Sequence, residues 1–162
     1  MALEALQDRR EITSNDLTSH GQPWAMADEI AGKLHPKGVR EAKQPLVVNT
    51  DLSGGPGIHW ITLFPMGRKT LIFDPLGPEN RRDNDSVIRE QIRRTGSEAE
   101  LMSIRVQAKK STHCGFFALA AAKLGPDSIP LVFKGIPSGA RDAPRIALGN
   151  VKQLIRMFGF RE

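Results

Sequence analysis

The sequence predicts an α+β fold, with a central mixed or antiparallel sheet packed between helices, in a single domain over residues 1–162. Three observations predict it. Short apolar runs bounded by turn residues crowd the middle of the chain, at 46–48, 58–64 and 70–73. The segment CGFFALAAAK (114–123) is apolar almost all round, which marks a helix buried in the core. Apolar residues recur at helical spacing toward both ends. A chain of 162 residues can bury a sizeable core but is short for two domains.

In chain order, residues 1–35 read as helical. Thr13-Ser14-Asn15-Asp16 offers capping side chains, and Trp24, Ala27, Ile30, Ala31 and Leu34 follow Pro23 at helical spacing. Pro36-Lys37-Gly38 ends that pattern. Leu46-Val47-Val48 reads as a buried strand. Ile58–Phe64 and Thr70–Phe73 read as the arms of an antiparallel hairpin, joined by the five residues Pro65–Lys69 and ended by Pro75-Leu76-Gly77-Pro78. Asp83–Arg94 is a polar surface helix with Val87, Ile88 and Ile92 on its inner side. Leu101–Val106 alternates like a strand. After the apolar helix from Cys114, a last amphipathic helix carries Val151, Leu154, Ile155 and Phe158 as its stripe. No repeat, low-complexity tract or linker divides the chain.

The composition narrows the function. With 40% apolar and 25% charged residues, the balance is that of an ordinary globular protein. No apolar run approaches the roughly 20 residues that span a bilayer. The N-terminus lacks the apolar stretch of a secretory signal. A single cysteine, Cys114, can form neither an internal disulfide nor a thiolate metal site, so no metal is expected and a free thiol in a reducing compartment is. The net charge of +5 is spread over KGVREAK (37–43), RRDNDSVIREQIRR (81–94) and Lys109-Lys110. These clusters fit a solvated surface and a polyanion-binding face about equally. On the 83–94 helix and its approach, Arg82, Arg89 and Arg93 fall along one side by the 3.6-residue repeat, so a basic stripe for phosphates is geometrically available. Pairing with Asp83, Asp85 and Glu90 is the plainer alternative.

A thiol nucleophile needs a depressed pKa, a base within hydrogen-bond reach and donors aimed at the developing oxyanion. Cys114 stands where the polar segment Lys109-Lys110-Ser111-Thr112 meets the apolar helix, where a helix N-terminus favours negative charge. A merely structural cysteine belongs inside the apolar run, not at its polar edge. His59 lies on the first arm of the hairpin and Asp74 closes the second, which brings carboxylate and imidazole together and lets Asp74 set the tautomer. Gln107, seven residues before Cys114 at the end of a predicted strand, can donate to an oxyanion together with the Cys114 N–H. Trp60 supports the site beside His59. His20 and His35 fall in helix-end loops, where exposure is expected, and His113 is expected to point away from the site.

These segments resemble the adenovirus endopeptidase family and, more distantly, the ubiquitin-like-protein peptidases of the same fold. VVNTDLSGGPGIHWITLF (47–64) is similar to the family's histidine strand, with an asparagine ten residues before the histidine and a tryptophan after it. LIFDPLG (71–77) is similar to its acid motif, and VQAKKSTHCGFF (106–117) to its glutamine-to-cysteine segment. The resemblance covers roughly 46–123 and departs in one residue type: Asp74 stands where the adenovirus enzymes usually carry glutamate. It implies a papain-like, reordered cysteine peptidase fold with a buried nucleophile helix. The implied activity is viral maturation, in which capsid and core precursor polypeptides are cut near Gly-Gly or Gly-x by Cys-His-Asp catalysis. The alternative is removal of ubiquitin-like modifiers. The resemblance further implies that duplex DNA could act as a non-specific partner and activator, and that the enzyme works in the virion and in the host nucleus or cytoplasm. The family's activation by a disulfide-linked peptide needs a second cysteine, which this chain lacks. A monomer that needs no cofactor for its chemistry and no membrane is the expectation.

Overall fold

The computed structural model describes residues 11–34, 44–109, 113–137 and 143–158. Its frame is a five-stranded mixed sheet in the order β1-β2-β3-β4-β5. Strand β1 (Trp24–Met26) runs parallel to β2 (Leu46–Asn49), and β2 is antiparallel to β3 (Trp60–Met66). Strand β3 forms a hairpin with β4 (Lys69–Phe73), and β4 is parallel to β5 (Glu98–Leu101). Each parallel pair is joined through a helix: α2 (Ile30–Leu34) between β1 and β2, and α3 (Asp85–Arg94) between β4 and β5. The other helices are α1 (Ser14–Ser19), α4 (Cys114–Leu124), α5 (Ile129–Val132) and α6 (Pro144–Phe158).

The sheet is covered on both faces, which is why its central strands read as continuous apolar runs. Alternate residues explain the layering, because side chains of a strand point to opposite faces. Leu46, Val48, Ile61, Leu63 and Ile72 pack with Ile30 and Leu34 of α2 and with Ile88 and Ile92 of α3. Val47, Trp60, Phe64 and Phe73 pack on the opposite face with Leu17 of α1, Phe116–Ala121 of α4, and Leu154 and Phe158 of α6. Helix α4 is thus core on nearly every side, as its composition requires. Thr62 Oγ1 donates to the Ala118 carbonyl at 2.6 Å and ties the hairpin to that helix.

Several expectations need correction. Residues 24–26 are a strand, not helix. Trp24, Ala25 and Met26 pair with Val47, Val48 and Asn49, and within residues 24–34 only Ile30–Leu34 is helical. The hairpin turn is tighter than expected: β3 continues through Pro65 to Met66, leaving Gly67-Arg68 as the turn, with Gly67 at φ 71. Primed two-residue turns require such a residue and match the strand twist. The strand expected at Leu101–Val106 lies earlier, at Glu98–Leu101. It is an edge strand whose Glu98 and Glu100 face solvent, so it lacks an apolar run. Helix α3 begins at Asp85, two residues later than expected, after Asn84 in a left-handed conformation. Thr13 does cap α1, in a reciprocal capping box with Asp16. His20 is half-buried against the Phe158 ring rather than exposed. The breaker at 36–38, His35 and Lys110-Ser111-Thr112 lie outside the described residues.

Candidate active site

Antiparallel pairing places the start of β3 and the end of β4 at one end of the sheet. His59 immediately precedes β3 and Asp74 immediately follows β4. The imidazole Nε2 and the Asp74 Oδ1 are 2.7 Å apart, with 12% and 1% of the two side chains exposed. The residues are brought together as expected, but neither lies within its strand. Cys114 enters at the same end as the first residue of α4 and is half-buried. The first turn of a helix presents N–H groups without intrahelical partners, so an anion at Sγ or beside it faces favourable dipoles.

The His59 imidazole is hydrogen-bonded to Asp74 and stands beside the Cys114 thiol. Burial alone lowers its pKa; the interactions with Asp74 and Cys114 outweigh burial and raise it from its ordinary 6.5 to about 9. The Asp74 carboxyl is pushed up by burial, yet the bonds from His59, Asn80 and the Leu76 N–H and the His59 charge hold it below the usual carboxylate range. The arrangement therefore favours an imidazolium paired with the Asp74 carboxylate and standing beside the thiol.

Gln107 is buried and lines the same cleft as Cys114 and His59. It does not end a strand. The chain leaves the ladder after Leu101 but stays alongside β4, because the N–H groups of Val106 and Gln107 both donate to the Pro75 carbonyl at 3.0 Å. The acid motif and the amide are thus locked together by backbone. Trp60 lines the cleft, with its indole N–H already engaged. Its indole N–H donates to the Ile12 carbonyl at 3.1 Å, and its ring stands edge-on to Trp24. Next to Cys114, Gly115 leaves room for Ile12 and Trp60: a Cβ there would come within 2.7 Å of the Ile12 Cβ.

The cleft is about 790 Å³, within the range of small-ligand sites. Its walls are the 53–58 loop, the 11–14 segment and the 80–83 turn. Asn49, the asparagine ten residues before His59, braces the loop: its Oδ1 accepts from Asp51 N–H at 3.0 Å and Ile58 N–H at 2.9 Å. Among the described residues, no three His, Cys, Asp or Glu side chains converge as a metal site needs.

The arginines expected along one side of helix α3 and its approach are each paired with a carboxylate. Arg82 precedes α3 and its side chain is only 5% exposed; it binds Asp74 and Asp85. Arg89 pairs with Asp85 and Arg93 with Glu90. The carboxylates already engage these cations, as the plainer alternative held. Asn80 and Arg82 are the site residues that the sequence reading missed as partners of Asp74. No motif marks them, and only the turn after β4 brings them to the carboxylate.

No family model matches this chain, and no curated protein does. A solved structure, the selenomethionine form of the ASFV pS273R protease, aligns with 96% of this chain and 70% of its own length. The identity is 16% and the TM-score 0.41, too low to carry a function across.

Proposed function

We propose that this chain is a cysteine endopeptidase in which Cys114 is the nucleophile, His59 the acid–base group and Asp74 its anchor. The observation that carries this reading is one buried imidazole bonded to a buried carboxylate in the cleft that a helix-terminal thiol also lines. Cys114 Sγ, as thiolate, attacks the scissile carbonyl carbon. The oxyanion is met by the Cys114 backbone N–H and the Gln107 amide. The His59 imidazolium gives its proton to the departing amine, leaving a thioester. His59 then takes a proton from water, the hydroxide attacks the thioester, and the thiol leaves with that proton. Asp74 holds the ring throughout.

For substrates, the motif resemblance supports viral precursor polypeptides, cut after Gly-Gly or Gly-x with an aliphatic residue further upstream. Duplex DNA as an activator remains part of this proposal, but Arg82, Arg89 and Arg93 do not argue for it. The test is a panel of fluorogenic peptides alongside ubiquitin-like conjugates, with added duplex DNA in one arm. Cleavage of short peptides after small residues supports the endopeptidase. Cleavage of folded conjugates alone would shift the reading to modifier removal. A preference for bulky or basic residues just before the cut would contradict the substrate class.

A further inference from the structure

The chemistry above uses one oxygen of Asp74, and the other is also occupied. Among the described residues, Oδ1 accepts from His59 Nε2 and from the Leu76 N–H at 2.9 Å. Oδ2 accepts from Asn80 Nδ2 at 3.0 Å and from Arg82 Nη1 at 3.1 Å. Arg82 continues outward: its Nε donates to Asp85 Oδ1 at 2.9 Å, and Asp85 Oδ2 accepts from Arg89 Nε at 2.8 Å. A chain of alternating charge therefore runs from the imidazole to the first turn of α3.

We propose that Arg82 is a positioning residue for the catalytic pair, fixing the Asp74 carboxylate with Oδ1 toward His59 and offsetting part of its pull on the imidazole. This rests on the Cys-His-Asp reading of the site. Leu76 and Asn80 can orient the carboxylate, but both are neutral; Arg82 alone of these partners also carries charge. The offset has a chemical use. An imidazolium beside a buried, uncompensated carboxylate holds its proton too tightly to pass it to a leaving amine, and catalytic acids work best with a pKa near the working pH. A guanidinium on the far side of the same carboxylate weakens that hold without taking the proton itself. It also suits burial, since its planar fork satisfies two carboxylates at once. Among the described residues, the other charged groups near His59 are few. Asp74 faces it from the end of β4 and Cys114 from α4, while Arg82 and Asp85 stand behind Asp74. Glu11, Glu29, Arg81, Asp83 and Lys109 line the cleft mouth and are common to every variant.

The test is an NMR titration of histidine-labelled protein, with the His59 signal assigned by its loss in His59→Ala. Arg82→Gln keeps a donor but removes the charge, so His59 should titrate about one unit higher than in the wild type. Arg82→Lys restores the charge and should return it to within a few tenths of a unit. Asp85→Asn removes an anion behind Arg82 and should move His59 down by a few tenths. An unchanged or lowered His59 in Arg82→Gln, or equal shifts in the Gln and Lys variants, overturns the proposal. Should Arg82→Gln not fold, Asp85→Asn decides: a downward shift supports the offset, and no shift or an upward one overturns it. The readout needs no substrate. Failure of peptide cleavage would therefore sink the peptidase reading and leave this result standing, while a His59 indifferent to Arg82 would do the reverse.

Discussion

Cys114 has no chemistry of its own that its neighbours do not provide. Cys114→Ala should abolish peptide cleavage with the fold intact, and His59→Ala should come close to that; a far-UV CD spectrum and a cleavage assay together check both. Gln107 is argued to meet the oxyanion, and loss of one such donor typically lowers the rate by about 10²–10³. Gln107→Ala should fall in that range, whereas a rate within about twofold of wild type would remove Gln107 from the site. Cys114, His59 and Asp74 could be placed together from the sequence because each sits in a short segment whose neighbours constrain it: a polar-to-apolar switch at Cys114, strand ends at His59 and Asp74. Gln107 was read at the end of a strand that does not form there. Arg82 was not legible as a partner of Asp74. Helical spacing put it on a surface stripe, and nothing local reveals that a residue eight positions from Asp74 turns back to it.

At the scale of elements, helix α4 is held by what lies behind it. Gly115 is buried against Ile12 and Trp60, and a methyl group there would crowd both. Replacing a helical glycine by alanine favours the helix by up to about 1 kcal/mol, while overpacking a filled core costs about 1–3 kcal/mol. Gly115→Ala should therefore be destabilising by about 0–2 kcal/mol in urea unfolding. It should also lower activity more than its stability suggests, because Ile12 belongs to a wall of the cleft. A variant more stable than wild type and fully active would show that the segment yields freely. The strand β1 shows why some elements escape a sequence reading. Trp24, Ala27 and Ile30 happen to fit a helical period, but the backbone of 24–26 is claimed by Val47–Asn49, a partner more than 20 residues away. Local spacing has no access to such pairing. Strand β5 was misplaced for the opposite reason: at an edge it needs little apolar surface, so its signal was weaker than that of the irregular segment after it.

For the whole molecule, the His59–Asp74 pair links folding to pH. The His59 pKa in the folded state, about 9, is above its ordinary 6.5, so its stabilisation is fully present below about 6.5 and is lost as pH rises through about 9. The Asp74 pKa is lowered, so its share is present above the ordinary 3.8 and is lost as pH falls through the folded value. Both shifts describe one interaction and should not be added. The urea midpoint should thus be highest between about pH 4 and 6.5 and decline by about pH 9.5. In Asp74→Asn the alkaline decline should largely vanish; an equal decline in both proteins would place its cause elsewhere.

The most direct test of the central claim is the rate of alkylation of Cys114 by iodoacetamide across pH, with the adduct located by mass spectrometry. An isolated thiol reacts along a single titration near its ordinary pKa of about 8.5. The Cys114–His59–Asp74 arrangement predicts a profile that also follows His59, with a step where the imidazolium deprotonates near 9. His59→Ala should collapse the profile to the single titration. A wild-type profile that already matches a free thiol, and that His59→Ala leaves unchanged, would contradict it.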